Sequence, residues 1–226
     1  MHLPLDRRPI MVAIAGPNGA GKTTFYHAHI RPAGLRFVNT DVLAQALHLD
    51  SDTAARVADA LRKELVAQRE SFAFETVFSD PAGDKLGFLT DAAKAGYTTL
   101  LCFIGISSPR VSQQRVDLRV AKGGHDVPAE KPAARFPRAL ANLKAALREL
   151  PHVWIFDNDD LRVPYRLAAV FENGRPVQVR RPVAKWLRPL LPKERYSTSP
   201  LPRTCRRNPA PSSGRSPGTA SPTPAE

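Results

Sequence analysis

The chain has 226 residues, and 33 Lys or Arg against 21 Asp or Glu give it a formal net charge of +12 at pH 7. Its hydrophobic fraction of 42% is that of a globular protein, and no apolar run reaches the roughly 18 residues of a transmembrane helix. Two cysteines, Cys102 and Cys205, are too few for a disulfide framework or a zinc site, and the N-terminus lacks a signal-peptide pattern. We therefore expect a cytoplasmic protein with no membrane contact, and the charge favours anionic ligands such as nucleotides.

Proline is concentrated at the C-terminus. Residues 197–226 hold seven of the 22 prolines, and Ser, Thr, Arg and Gly fill most of the remaining positions. Such a segment cannot bury enough apolar surface to offset the entropy lost on ordering. We therefore predict one folded domain over residues 1–196 and a disordered tail over residues 197–226.

The first half of the domain alternates apolar runs of strand length with amphipathic runs of helix length. In chain order we predict a strand at Ile10–Ala15, a helix at Lys22–Ile30, a strand at Phe37–Asn39, a helix at Thr53–Arg69 and a strand at Ser71–Val77. The alternation continues with a helix at Pro81–Ala95, a strand at Thr98–Ile106, a helix through Arg119, a helix at Glu130–Leu150 and a strand at Val153–Phe156.

The strand runs are apolar throughout rather than alternating, which is typical of a parallel sheet covered by helices on both faces. A β-hairpin follows, with strands at Tyr165–Phe171 and Val177–Arg180 joined by a tight turn at Asn173-Gly174. An apolar segment, Val183–Leu191, closes the folded part. The predicted fold class is an α/β three-layer sandwich with a mostly parallel sheet and a C-terminal β-hairpin.

The most specific motif follows the first strand. It matches G-x-x-x-x-G-K-[ST] in full and reads Gly16-Pro17-Asn18-Gly19-Ala20-Gly21-Lys22-Thr23. In the predicted context of strand, loop and helix, its backbone N–H groups cradle phosphates, its lysine reaches the β- and γ-phosphates, and its threonine binds Mg²⁺. We predict that these residues, together with Thr24, bind ATP, and that the domain is a P-loop NTPase; the alternative is a chance glycine-rich loop.

The phosphate loop alone does not indicate which reaction the protein catalyses. Transporter-type ATPases use a similar loop, but they also need an LSGGQ-like signature and adjacent acidic residues at a strand end. The fourth predicted strand ends instead in Ser107-Ser108. The sequence therefore favours a small kinase, which needs an acceptor pocket and arginines that screen the transferring phosphoryl group.

Asp41 lies just after the second predicted strand, at the edge where open α/β sheets bind ligands. Its carboxylate can accept the proton of an attacking hydroxyl as a general base. Two alternatives remain open for it: the N-cap of a helix that begins at Val42, or a ligand of Mg²⁺.

Glu75 interrupts an apolar strand, where its burial is costly unless it meets a cation, a metal or a substrate hydroxyl. The alternative is a structural carboxylate that is paired with a cation. Its neighbour Thr76 is a second candidate for the acceptor site. The alternative is that Thr76 is present only because β-branched residues favour strands. We also place Asn39, from the same motif as Asp41, among the substrate-binding candidates.

A basic, glycine-interrupted segment follows the fourth strand. Arg115 and Arg119 share one helix face at i,i+4, and Arg135 and Arg138 share a face of the next helix. This layout is typical of a lid, here over about residues 109–138, that folds arginines over a triphosphate. The alternative is a solvated basic face.

Five segments together resemble the zeta-toxin-type P-loop kinases, over about residues 10–180: GPNGAGKTTF, VNTD, FAFETVFS, RVDLRVAKGGHDVP and RFPRALANL. The resemblance implies a kinase that uses ATP to phosphorylate the 3′-hydroxyl of UDP-N-acetylglucosamine, and a toxin that has an antitoxin partner. It also implies that Lys22 holds the phosphates, that Asp41 is the general base and that Glu75 contacts the acceptor. Two lid arginines would stabilise the transition state, with Arg119 the first candidate and Arg135 the second.

Two other functions remain open at this point. One is a kinase that acts on polynucleotide ends or nucleosides, which the net charge favours weakly, although few aromatic residues are available to stack on bases. The other is a nucleotide-binding regulatory protein with little turnover. A candidate base and a candidate lid count against the regulatory protein. A site for ATP and a nucleotide sugar is itself basic, so the charge does not require a nucleic-acid partner, and we expect none.

Overall fold

The fold is described from a computed structural model, which describes residues 5–121 and 130–192. Its strands are β1 Ile10–Ala15, β2 Arg36–Val38, β3 Phe72–Thr76, β4 Thr98–Gly105, β5 His152–Asp157, β6 Arg166–Glu172 and β7 Arg175–Val179. Its α-helices are α1 Lys22–Phe25, α2 Thr40–Leu47, α3 Ser51–Ala67, α4 Asp84–Lys94, α5 Pro109–Val120 and α6 Glu130–Glu149.

The strands form one sheet in the order β2-β3-β1-β4-β5-β6-β7. The first five run parallel, and β5, β6 and β7 pair antiparallel. The turn between β6 and β7 has positive φ angles at both Asn173 and Gly174, as a two-residue hairpin turn requires. The predicted fold class, a mostly parallel α/β sheet that ends in a β-hairpin, is confirmed.

The first strand shows why the apolar runs predict a parallel sheet. All six residues of β1 are fully buried, and they alternate between two hydrophobic cores. Met11, Ala13 and Ala15 belong to the core under α3, α4 and α6. The other three side chains of β1 belong to the core under α1, which includes Phe25 and Ile30. The phosphate-loop helix therefore lies across the sheet from α3 and α4.

Several helix boundaries differ from the predicted ones. The predicted helix Lys22–Ile30 is an α-helix only to Phe25, and the chain continues as a π-helix at Tyr26–Ile30. The third helix begins at Ser51, because Asp50 caps it by accepting from the backbone N–H groups of residues 52 and 53. The fourth begins at Asp84, three residues after the predicted start at Pro81.

The apolar segment after the hairpin is fixed to the end of β5. Trp186 donates from Nε1 to Asp157 Oδ1 at 3.0 Å, while Arg166 donates to the other oxygen of that carboxylate at 2.8 Å. Leu187 is fully buried beside it. The tail predicted over residues 197–226 lies outside the described residues. Among the described helices, none is long and apolar enough to cross a membrane.

Candidate active site

The phosphate loop connects β1 to α1 at the carboxyl edge of the sheet. Lys22 is the first residue of α1 and its side chain is buried. Its Nζ atom donates to the Pro17 carbonyl at 3.1 Å and lies 3.6 Å from Glu75 Oε1. Lys22 therefore folds back over the loop in the position from which its ammonium group can meet phosphate oxygens.

Glu75 links three elements. It stands near the end of β3, which pairs with β1 in the register Ile14 to Glu75. Its Oε2 atom accepts from Thr23 Oγ1 at 2.7 Å and from Asn39 Nδ2 at 3.0 Å. Glu75 is thus paired with a cation, as the structural alternative expects, but two of its three partners are the lysine and threonine of the phosphate loop.

The oxygen atoms of Thr23 and Glu75 fit a magnesium ion. Mg²⁺ prefers oxygen ligands and is usually held by one or two protein oxygens together with substrate phosphates. Within the described residues there is no cluster of three or more His, Cys, Asp or Glu side chains that could hold a metal by themselves. A magnesium ion here would therefore depend on the nucleotide for most of its ligands.

The structure separates the roles of Asn39 and Asp41. Asn39 is the N-cap of α2, and its Oδ1 atom accepts from the backbone N–H groups of Asp41 at 2.8 Å and Val42 at 3.1 Å. The alternative in which Asp41 caps this helix is therefore wrong, because the cap lies two residues earlier, at the residue with extended backbone geometry. Asp41 lies in the first turn of α2, where the helix dipole favours a negative charge.

A cavity of about 770 Å³ brings together most of the predicted site residues. Its lining includes Asn18, Gly19, Lys22, Asn39, Asp41, Glu75, Thr76, Arg135 and Arg138. In this lining Arg135 is half-buried and Arg138 is exposed. Thr76 also accepts a hydrogen bond from the Phe78 backbone N–H through its Oγ1 atom, so it shapes the strand end as well.

The remaining arginines of the predicted lid have different positions. Arg115 donates to the backbone carbonyls of Asn158 at 2.8 Å and Asp159 at 2.9 Å, so its guanidinium is bound to the β5–β6 loop. The side chain of Arg119, and residues 122–129 between α5 and α6, lie outside the described part of the chain. The catalytic role of Arg119 stays a prediction.

Sequence reasoning missed a charged group on the α3 side of the cavity, which we call the α3 cluster: Asp59, Arg62 and Lys85. Asp59 Oδ1 accepts from Lys85 Nζ at 2.7 Å and also from the Arg62 guanidinium. Arg62 is only 4% exposed and lies 5.1 Å from the centre of the Phe74 ring. One signal was present in the sequence: Arg62 interrupts the apolar stripe of α3 between Ala58 and Leu65.

In the α3 cluster, Asp59 and its two cationic partners stabilise one another's charged forms. Burial raises the pKa of the Asp59 carboxyl, but the hydrogen bond from Lys85 and the charge of Arg62 outweigh burial and hold that pKa below its usual value. Burial also lowers the pKa of the Arg62 guanidinium, and Asp59 opposes that shift. All three side chains line the cavity, so this cluster is available to the part of a ligand that lies beyond the phosphate loop.

The fold and the site together define a class of protein. A phosphate loop between β1 and α1, in a mostly parallel sheet with β3 and β4 on either side of β1, defines a P-loop NTPase fold of the kinase-like type. Residues 2–168 match the model of the zeta toxin family. The chain therefore belongs to the zeta toxin family, and the resemblance drawn from the motifs is confirmed.

Solved structures with the same fold share little sequence with this chain. A crystal structure of AvrRxo1-ORF1:AvrRxo1-ORF2 with sulphate ions has a TM-score of 0.57 at 18% identity, covering 77% of this chain and 61% of that one. The PezAT chromosomal toxin–antitoxin system of Streptococcus pneumoniae has a TM-score of 0.52 at 15% identity, covering 73% of this chain and 72% of that one. The Pnkp1/Rnl/Hen1 RNA repair complex has a TM-score of 0.51 at 16% identity, covering 62% of this chain and 46% of that one.

This chain thus spans about three-fifths of the length of the AvrRxo1 chain that it matches. At these identities the structural likeness shows the fold alone. Among curated proteins, none matches this sequence.

Proposed function

We propose that this protein is an ATP-dependent kinase that transfers the γ-phosphoryl group of ATP to a hydroxyl of a small molecule. The observation that carries the proposal is the shared cavity, which is lined by Asp41 together with Lys22 and Glu75. Glu75 in turn lies 3.6 Å from Lys22 Nζ and accepts a hydrogen bond from Thr23, and we call Lys22, Thr23 and Glu75 the phosphate-loop group. A general base and a phosphate cradle are the two parts that such a transfer needs within one site.

Each residue of the phosphate-loop group has a role in this proposal. Lys22 leaves the Pro17 carbonyl to meet the phosphate oxygens, and the buried position of its stem directs its charge into the loop. Thr23 and Glu75 would hold a magnesium ion between them and the phosphates. When bound, the ion neutralises charge that develops on the phosphoryl oxygens.

Asp41 accepts the proton of the acceptor hydroxyl in this proposal. Because Asn39 already satisfies the backbone N–H groups at the start of α2, the Asp41 carboxylate is not used for capping. The guanidinium of Arg135, and in second place that of Arg138, would stabilise charge on the transferring group from α6. Arg119 keeps the same proposed role from α5.

For the acceptor we propose a nucleotide sugar of the UDP-N-acetylglucosamine type, as the zeta toxin family implies. ATP as donor is supported by a crystal structure of AvrRxo1-ORF1:-ORF2 with ATP, which has a TM-score of 0.51 to this chain at 18% identity. The PezAT structure is of a toxin–antitoxin system, so we also propose a toxin role with a protein antitoxin as partner.

A second candidate acceptor is a polynucleotide end, which the net charge of +12 and the likeness to an RNA repair complex favour. The cavity itself favours it less. Within the described part of the chain, its lining holds five acidic and five basic side chains: Asp41, Asp52, Asp59, Glu75 and Asp80, with Lys22, Arg62, Lys85, Arg135 and Arg138. A polynucleotide backbone needs an excess of positive charge along its path, and this lining is balanced.

The deciding experiment is transfer from γ-labelled ATP with Mg²⁺ by the full chain, against UDP-sugars, free sugars, nucleosides and oligonucleotides. We expect a labelled sugar phosphate, with the Lys22→Met variant as the inactive control, because methionine keeps the buried stem and removes the charge. Label on oligonucleotides, with a rate that falls steeply as salt is added, would favour the second candidate. ATP binding with no transfer to any acceptor would favour a regulatory protein with little turnover.

A further inference from the structure

Side chains from outside the phosphate loop bind three of its backbone carbonyls. Ser112 Oγ donates to the Asn18 carbonyl at 2.7 Å, Asn158 Nδ2 to the Ala20 carbonyl at 2.8 Å, and Tyr165 Oη to the Gly21 carbonyl at 3.0 Å. We call these three residues the loop clamp: Ser112, Asn158 and Tyr165. They come from α5 and from the segment between β5 and β6, so no part of the clamp belongs to the phosphate-loop motif.

The loop clamp is itself held rigidly. Asn158 is 2% exposed, and its Oδ1 atom accepts from the Tyr165 backbone N–H at 3.1 Å. Arg115 donates from α5 to the carbonyls of Asn158 and Asp159, and the Asp159 carboxylate accepts from both the backbone and the hydroxyl of Ser107. Side chains that are fixed in this way can fix the loop in turn.

The contact between clamp and loop is close enough to require glycine. A Cβ atom on Gly21, where φ is +90°, would lie 2.9 Å from Tyr165 Oη and 3.0 Å from Asn158 Nδ2. A Cβ atom on Gly19 would lie 2.8 Å from the Ser112 carbonyl oxygen. Tyr165 has a positive φ of 53°, a conformation that bulky residues rarely adopt and that tends to be kept at functional positions.

The geometry of the peptide unit connects these bonds to phosphate binding. In a trans peptide the carbonyl and the following N–H point in opposite directions. Holding the carbonyls of Asn18 and Ala20 toward the clamp therefore turns the N–H groups of Gly19 and Gly21 away from it. Tyr165 adds a second hydrogen bond to the Gly21 carbonyl, which also accepts from the Phe25 backbone N–H at 2.9 Å, and so helps to fix the peptide that carries the Lys22 N–H. Converging backbone N–H groups are what an anion site of this kind uses.

We propose that Ser112, Asn158 and Tyr165 are positioning residues that set the direction of the phosphate-loop amides and thereby the affinity for a polyphosphate. They act through the loop backbone and do not themselves touch the phosphates. The inference rests on the nucleotide-binding part of the proposed function, and it is independent of which acceptor the protein uses.

The test variant is Tyr165→Phe, which removes one hydroxyl. Asn158→Asp is a stronger variant, because aspartate keeps the Oδ1 acceptor for the Tyr165 N–H but places a second acceptor oxygen against the Ala20 carbonyl. The matched control is Tyr97→Phe, whose hydroxyl also donates to backbone carbonyls, those of Leu65 and Glu70 at 3.2 and 3.1 Å, away from the phosphate loop. Calorimetry with the full chain measures the Kd of MgATP and, separately, of tripolyphosphate.

We expect Tyr165→Phe to raise both dissociation constants about threefold to tenfold, the range of one ordinary hydrogen bond, and Asn158→Asp to raise them more than about tenfold. Tyr97→Phe should leave both within about twofold of wild type, whatever it does to the melting temperature. Unchanged constants in Tyr165→Phe, or a loss for MgATP without a loss for tripolyphosphate, would overturn the inference. If Asn158→Asp fails to fold, Ser112→Ala takes its place. Failure of the wild type to bind MgATP would instead refute the proposed function.

Discussion

The phosphate-loop side of the cavity and its α3 side hold polar groups in different ways. On the phosphate-loop side the ligand-facing groups are the side chains of Lys22 and Thr23 and the backbone amides of the loop, and the loop backbone is bound from outside by the loop clamp of Ser112, Asn158 and Tyr165. On the α3 side the polar groups are charged side chains that neutralise one another, with Asp59 between Arg62 and Lys85.

This difference has consequences for what a substitution does. Changes on the phosphate-loop side alter groups whose purpose is to meet a ligand, so the loss is expected in binding or rate while stability changes little. Changes on the α3 side uncover a buried cation, so the loss is expected in the free energy of unfolding first. Variants on the two sides, measured by both the rate of transfer and the free energy of unfolding, test this difference.

The largest expected effect is that of Asp41→Asn. If Asp41 is the general base, the amide cannot take the hydroxyl proton, and kcat should fall by about 10²–10⁴-fold. Stability should fall by no more than about 1 kcal/mol, the value of a first-turn carboxylate at a helix N-terminus, because Asn39 caps α2 and the variant leaves that cap in place. The measurement is steady-state transfer together with thermal melting.

Asp52→Asn is the matched control, since Asp52 also lines the cavity from the first turn of the next helix. Its kcat should stay within about tenfold of wild type. Recovery of the Asp41→Asn rate when Mg²⁺ is raised would show that Asp41 holds the metal. A near-normal rate at ordinary Mg²⁺ would remove Asp41 from the mechanism.

A smaller effect is expected from the two cavity arginines of α6. Arg135→Gln should lower kcat by about 10²-fold, because Arg135 is a half-buried donor in the cavity lining that water does not replace. Arg138→Gln, one turn later and exposed, should cost no more than about tenfold, because solvent and salt screen its charge. Both changes have the same effect on the helix, so a larger loss from Arg138→Gln would reverse the assignment.

The fold was predictable from the sequence where local pattern decides it. The strands β1, β3, β4 and β5 are buried on both faces, so most of their residues are apolar. Each can therefore be predicted from its own sequence, without knowing which elements pack against it. The hairpin was predictable because Asn173-Gly174 permits positive φ angles at both positions. By contrast, α2 is a helix of eight residues with no buried side chain. Apolar periodicity therefore does not indicate where it begins and ends.

The site was predictable only in part, for a related reason. The phosphate loop is a contiguous motif, so its conformation can be predicted from the local sequence. The loop clamp is not contiguous: its three hydrogen bonds join residues that are 94, 138 and 144 positions apart in the chain. Which side chains meet the loop depends on the sheet order, which puts β4 beside β1 and β5 beside β4, and no local pattern in Ser112, Asn158 or Tyr165 indicates it.

The smallest expected effect, and the one that tests the α3 side, is that of Asp59→Asn. Asparagine keeps the shape and one acceptor oxygen but removes the charge that faces Arg62 and Lys85. Hydrogen bonds to charged groups contribute about 1.5–3 kcal/mol, and because Asp59 is 45% exposed we expect only about 1–2 kcal/mol here. For a domain of this size that corresponds to a fall in Tm of about 2–8 °C, with kcat changed little.

The pH dependence and a control make this prediction specific. The folded-state pKa of Asp59 lies below its ordinary value of 3.8, so the stability that it contributes is present above that pH and is lost as the pH falls below it. The difference between wild type and Asp59→Asn should therefore shrink as the pH falls below 3.8. Asp91→Asn breaks a pair with Lys94 in which the side chains are 77% and 73% exposed, and it should cost no more than about 0.5 kcal/mol. If both variants melt alike, or if Asp59→Asn loses rate instead of stability, the two sides of the cavity do not differ as proposed.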